Sequence, residues 1–234
     1  MILGHIGARK GSKGVPGKNF REIQGKKLID WSLDMLLAHP QIDAVVVSTD
    51  DEEMYAHSIA KGALKIGLRP SHLATDAAPK WGVWQHALKA SEQVLGQQVS
   101  AFVDLDCTNP LRVPEDISGA RLLFETEKPD MVMSVCEARK NPYFNLVEPD
   151  SSGALQVSKT LPGGVWARQS APKVFEHVGC VYVVAPEYLR TAKTIYEGRV
   201  LPFEIPSIRG FDIDEQHDFG LVEYLLGELN AGRL

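Results

Sequence analysis

The chain has 234 residues, 44% of them hydrophobic, enough for one buried α/β core, and a formal net charge of −5 that argues against non-specific nucleic-acid binding. It has no run of 18 apolar residues, and the apolar start has no basic stretch before it and no cleavage site after it. The expectation is a chain without a membrane span or signal peptide, working in the cytoplasm. Cys107, Cys136 and Cys180 lie in or beside apolar runs without C-x-x-C spacing, and they read as reduced core residues.

In chain order, Met1 to Ala8 reads as a buried strand that breaks into Arg9-Lys10-Gly11-Ser12-Lys13-Gly14-Val15-Pro16-Gly17-Lys18-Asn19. A strand feeding a loop of this composition suits an anion: three glycines let backbone N–H groups come close, and Arg9, Lys10, Lys13 and Lys18 surround it with charge. The alternative is a solvated basic loop. The segment is not a Walker A loop, because Gly14 is followed by Val15-Pro16, and it lacks the G-x-G-x-x-G dinucleotide fingerprint.

Leu28 to Ala38 is an amphipathic helix, Ala44 to Ser48 a buried strand, Glu52 to Lys61 a helix and Leu64 to Ile66 a strand candidate. Trp81 to Val94 reads as a helix whose Trp81, Trp84 and Leu88 form either a packed face or a base-stacking platform. Ala101 to Leu105 (strand), Pro114 to Glu125 (helix, with proline at its start) and Met131 to Cys136 (strand) continue the alternation. This order predicts a mostly parallel sheet with helices on both faces.

From about 141 to 172 proline, glycine, serine and aromatic residues break the pattern, which predicts an antiparallel excursion or arm. Gly179 to Val184 resumes as a core strand, Pro186 to Ile195 as a helix, and Asp214 to Leu229 as a closing helix. His5, His72 and His86 receive no role.

The carboxylates form two D-x-D pairs. Asp104 and Asp106 end one strand on a common face, and Asp212 and Asp214 precede the last helix. Paired hard oxygens suit Mg²⁺, whereas Asp214 alone would also serve as a helix N-cap and Asp104 as an ion-pair partner.

The ordered series Ala8 to Asn19, Val47-Ser48-Thr49-Asp50, Leu68-Arg69-Pro70, Leu73-Ala74-Thr75-Asp76, Thr108-Asn109-Pro110-Leu111-Arg112 and Asp212-Ile213-Asp214 resembles the acylneuraminate cytidylyltransferases, the CMP-sialic acid synthetases and their relatives. The resemblance spans residues 1 to about 220. It implies a Rossmann-like nucleotidyltransferase fold and transfer of CMP from CTP to the anomeric hydroxyl of a 3-deoxy-2-keto sugar acid, with release of pyrophosphate. By this resemblance Arg9, Lys13 and Lys18 hold the triphosphate, and Ala8, Gly11, Ser12 and Gly14 line the nucleotide with them. Asn19 and Arg69 contact the nucleotide, and Asp212 and Asp214 bind Mg²⁺. It also implies that residues about 141–172 are a dimerisation arm of a single-domain homodimer, with Arg168 or Lys140 reaching the partner's pocket. Arg168 is the candidate for the acceptor carboxylate.

The chain departs from the sialic acid pattern at Asp106, where glutamine is frequent, and at Val178-Gly179, where Asn-Gly is usual. Asp106 could ligate a metal or a sugar hydroxyl, so the acceptor could be another nonulosonic acid. A nucleotidyltransferase acting on a sugar 1-phosphate and a non-catalytic nucleotide-binding protein are the alternatives in function.

Overall fold

A computed structural model describes residues 1–11 and 14–233. The elements follow in the order β1 (Ile2–Gly7), β2 (Glu22–Ile23), β3 (Lys26–Lys27), α1 (Leu28–Ala38), β4 (Ala44–Ser48), α2 (Glu52–Lys61), α3 (Lys80–Leu95), β5 (Ala101–Asp104), α4 (Pro114–Glu127) and β6 (Met131–Glu137). They continue as β7 (Val147–Pro149), β8 (Leu155–Val157), β9 (Phe175–Val184), α5 (Pro186–Thr191), β10 (Val200–Glu204) and α6 (Gln216–Asn230). The central sheet has six strands in the order β10-β6-β9-β5-β1-β4. Strand β1 runs parallel to β4 and β5, and β10 runs parallel to β6, while β9 lies antiparallel between β5 and β6.

Side-chain alternation sends each strand into two cores. Val45 and Val47 of β4 and Val103 of β5 pack on one face with Leu33, Ile117 and Val222 from α1, α4 and α6. Val46 and Phe102 point the other way, toward Trp84 and Leu88 of α3 and Leu189 of α5. The helices therefore cover both faces. The Trp81-Trp84-Leu88 stripe is a packed face, with Trp84 fully buried edge-on against Tyr182.

Three expectations shift locally. Leu64 to Ile66 is not a strand; Leu64 N–H donates to Val45 O at 2.8 Å, but no ladder follows. The helix expected to reach Ile195 ends at Thr191. The closing helix begins at Gln216, and Asp218 accepts from the N–H groups of both Asp214 (2.9 Å) and Glu215 (2.7 Å), so Asp214 is not its cap. No element is expected from the sequence at β10, which contains Pro202. The strand nevertheless forms at the edge of the sheet, where a missing N–H is tolerated.

Strands β7 and β8 pair only with each other, inside the segment read as an arm. Among the described residues no helix is long and apolar enough to cross a membrane.

Candidate active site

The strand ends converge as an open α/β sheet requires. At the carboxyl end of β1, Ala8 N–H donates to Ser48 O of β4 at 3.0 Å, which anchors the start of the basic loop. Lys10 N–H is held by Asp50 Oδ1 at 2.8 Å. Ser12 and Lys13 lie outside the described residues. Beyond them the chain turns through Val15 and Gly17, and Asn19 Nδ2 donates back to Arg9 O at 3.2 Å. Asn19 is buried, and its Oδ1 accepts from the Cys107 thiol at 2.9 Å.

Lys18 Nζ donates to Ile213 O at 2.6 Å and lies 3.4 Å from Asp214 Oδ1. The basic loop and the second carboxylate pair, some two hundred residues apart in sequence, are thus in direct contact. Gly14 makes that contact possible: a Cβ there would collide with the backbone carbonyl oxygen of Asp214. Gly11, in contrast, has open space around it.

A cavity of about 290 Å³ opens beside the loop, lined by Arg9, Lys18, Asn19, Arg69, Lys80 and Asp106 among others. Arg69 is buried; its Nε donates to Ser48 Oγ at 3.0 Å, and its guanidinium also reaches Ser48 O. Arg9 is ion-paired with Asp76 at the cavity's edge. Loop cations together with a buried guanidinium and apolar Val83 and Trp84 in one cavity suit a charged chain attached to a flat, polar-edged ring.

The first D-x-D pair is bound to a lysine. Lys80 Nζ lies 3.0 Å from Asp104 Oδ2 and forms a second ion pair with Asp106. On its other oxygen, Asp104 meets His5 Nδ1 at 2.5 Å. Burial pushes the Asp104 carboxyl up, but the Lys80 ammonium and the His5 bond outweigh it and hold the group below its ordinary value. Asp106 also accepts from Tyr182 Oη at 3.3 Å. A Cβ at Gly179 would strike the Asp106 carboxylate, so the glycine of the Val178-Gly179 pair makes room for the acid.

Asp212 faces this cluster. Burial pushes its carboxyl up, and the neighbouring charges of Asp106 and Asp214 add to the shift, to about 6. Thr108 Oγ1 donates to it at 3.4 Å. Asp214 is exposed. Both acids of the second pair line a neighbouring cavity of about 400 Å³ with Arg139 and Phe211.

Arg168 is exposed and lies elsewhere, in a cavity of about 310 Å³ at the base of the arm with Asn141 and Lys173. Arg139 lines both of these cavities, so they adjoin. Within one chain the structure therefore does not bring Arg168 to the cavity beside the basic loop.

The residues fit a Mg²⁺ ion of one kind. Among the described residues no three carboxylate, imidazole or thiolate groups converge as a metal cage. The charge that raises Asp212 is instead an excess of carboxylate that a hard cation would relieve, with water and phosphate oxygens completing its shell.

Lys80, His5 and Arg139 were not singled out by the sequence. Lys80 carried a weak signal, since a cation in the first turn of a helix opposes the helix dipole. His5 carried none, because nothing in its own segment announces Asp104.

Comparison with known proteins adds the following. A family model described as cytidylyltransferase matches residues 4–146. A Campylobacter coli protein named post-translational flagellin modification protein B is 36% identical over 234 residues, covering 98% of this chain and 96% of that protein. A CMP-N,N'-diacetyllegionaminic acid synthase from Campylobacter jejuni is 34% identical over 229 residues, with the same coverage of 98% and 96%. A solved structure of a CMP:2-keto-3-deoxy-manno-octonic acid synthetase complexed with CTP superposes with a TM-score of 0.70 over 97% of this chain and 99% of that one. At 17% identity this likeness speaks to the fold.

Proposed function

The chain belongs to the cytidylyltransferase family, and from that premise we propose that it transfers CMP from CTP to the anomeric hydroxyl of a nonulosonic acid, releasing pyrophosphate. The observation that carries this reading is Lys18, which joins the basic loop to the Asp212-Asp214 segment at the mouth of the cation-lined cavity. A nucleoside triphosphate lying there would present its phosphates to Arg9 and Lys18 and its base toward Arg69, with Asn19 fixing the turn between them. Lys13 belongs to the same loop and is assigned to the triphosphate on the resemblance alone.

The acceptor oxygen attacks the α-phosphorus, the bond to the bridging oxygen of the β-phosphate breaks, pyrophosphate departs and the acceptor loses its hydroxyl proton. Such a displacement asks the protein for positioning and charge neutralisation more than for covalent chemistry. Asp212 and Asp106, with Asp214 at the rim, are the residues that would hold Mg²⁺. Bound there, the ion would supply Lewis-acid stabilisation of phosphate charge.

The acceptor is assigned to the nonulosonic acids, and Asp106 with Val178 departs from the pattern of the sialic acid enzymes on the acceptor side. The exposed apolar residues of the arm, Val147, Leu155 and Trp166, support a homodimer in which the partner's arm brings Arg168 toward the acceptor carboxylate. The chain is read as one catalytic domain with this arm, acting in the cytoplasm where CTP is available.

Pyrophosphate release is the test. With CTP and Mg²⁺, release should occur with at least one of N,N'-diacetyllegionaminic, N-acetylneuraminic or pseudaminic acid, and not with 3-deoxy-manno-octulosonic acid alone or with any hexose 1-phosphate. Release only with sugar 1-phosphates, or none with any acceptor, would overturn the assignment. Asp212→Ala should reduce release by at least about 100-fold without unfolding the chain.

A further inference from the structure

Lys80 lines the nucleotide cavity but belongs to none of the motifs that define it. It is the first residue of the sixteen-residue helix α3, whose first turn contains no acid. That end of a helix is its positive pole, where cations are disfavoured and anions welcome. Two carboxylates offset the misfit, Asp104 at 3.0 Å and Asp106. Asp104 is already bonded to His5, so Asp106 is the more replaceable partner.

The surroundings keep the ammonium charged and near substrate. Its Nζ lies 4.2 Å from the centre of the Tyr182 ring and 5.1 Å from that of Trp84, aromatic faces that favour a cation. The side chain is still 33% exposed. It lines the same cavity as Arg9 and Lys18, and the Asp212 carboxylate feels its charge.

We propose that Lys80 is a further nucleotide-contacting residue, held on Asp104 and Asp106 in the empty enzyme and turned from Asp106 to a non-bridging oxygen of the α-phosphate when nucleotide binds. The inference rests on the cytidylyltransferase reading above and deepens it. Lys80 keeps its proton throughout, neutralises charge on the phosphorus under attack and leaves Asp106 free for a divalent cation.

The test is calorimetric binding of CMP and of cytidine, which differ by the α-phosphate alone, to wild type, Lys80→Met and Lys80→Arg. In Lys80→Met, CMP should bind about 10- to 100-fold more weakly while cytidine changes by less than about threefold, and Lys80→Arg should recover most of the loss. Mn²⁺ binding without nucleotide, read by electron paramagnetic resonance, should tighten in Lys80→Met because Asp106 loses its competing cation. Unchanged CMP affinity in a folded Lys80→Met, with kcat within about threefold of wild type, would overturn the inference while leaving the reaction standing. Failure of the wild type to bind CMP would instead overturn the cytidylyltransferase reading itself. Should Lys80→Met not fold, because buried Asp104 loses its cation, Lys80→Gln retains a donor for Asp104 and is measured in its place.

Discussion

Gly14 and Asp212 show how single residues define this site. A Cβ at Gly14 meets a backbone oxygen rather than a flexible side-chain end, so the loop must move to accept one. Gly14→Ala should weaken CTP binding by about 10-fold or more with little loss of melting temperature, measured by calorimetry and thermal melts. Asp212 adds a pH dependence. Its carboxyl is raised from 3.8 to about 6 in the folded chain, so between these values the folded state binds more protons than the unfolded one. Stability therefore falls as pH rises through that window, by about 1–3 kcal/mol. Asp212→Asn has no proton to lose, and His39, His86 and His177, whose imidazoles burial pushes down, act in the opposite sense, so the check is the difference: in urea unfolding the stability of wild type relative to the variant should fall between pH 4 and pH 7.

These residues also show what a linear reading could reach. Arg9, Lys18, Asn19 and Arg69 stand out because glycine, proline and charge cluster around them, and the structure gathers all four around one cavity. Period-two alternation placed Asp104 and Asp106 on a common side, although the strand ends at Asp104 and Asp106 lies beyond it. What it could not supply was Lys80, which bridges them from the start of another element. A residue whose partners lie 24 and 26 positions away by way of a helix leaves no periodic trace.

At the scale of elements, patterns repeated over several turns or along a whole strand were legible, and short pieces were not. Helix α3 was visible from Trp81, Trp84 and Leu88, and strand β4 from three consecutive valines. Strand β10 was not, because a proline in a five-residue run argues against a strand until the run is known to be an edge. The arm was recognisable by composition, but a two-stranded ribbon such as β7-β8 has little stability of its own. Trp166 is 88% exposed, and Leu155 and Val147 of the same arm are exposed too, apolar surface that the proposed partner chain would cover. Trp166→Ser should therefore weaken self-association by about 10-fold or more in sedimentation equilibrium, with the melting temperature of the dilute protein changed little.

Across the whole molecule, buried polar links tie the site to the core. Arg112 is fully buried and donates to Cys180 O at 2.8 Å, to Ser32 Oγ at 2.5 Å and to Asp106 O, joining β9, α1 and the end of β5. Arg112→Met leaves these acceptors unpaired and should cost about 3 kcal/mol or more, roughly 6–12 °C in a thermal melt. Lys18 and Ile213 close the molecule in the same way, from opposite ends of the chain.

By itself the sequence determined the alternation of strands and helices, the basic loop, the two acid pairs and the family to which their order points. These depend on neighbours a few residues apart, where backbone sterics and side-chain period act directly. Only the tertiary structure decided that Gly14 seats the loop on Asp214, that His5 and Lys80 share Asp104, and that Gly179 admits Asp106. Those facts depend on close contacts between distant segments, where burial and low dielectric make each charge require a partner that the local sequence does not name.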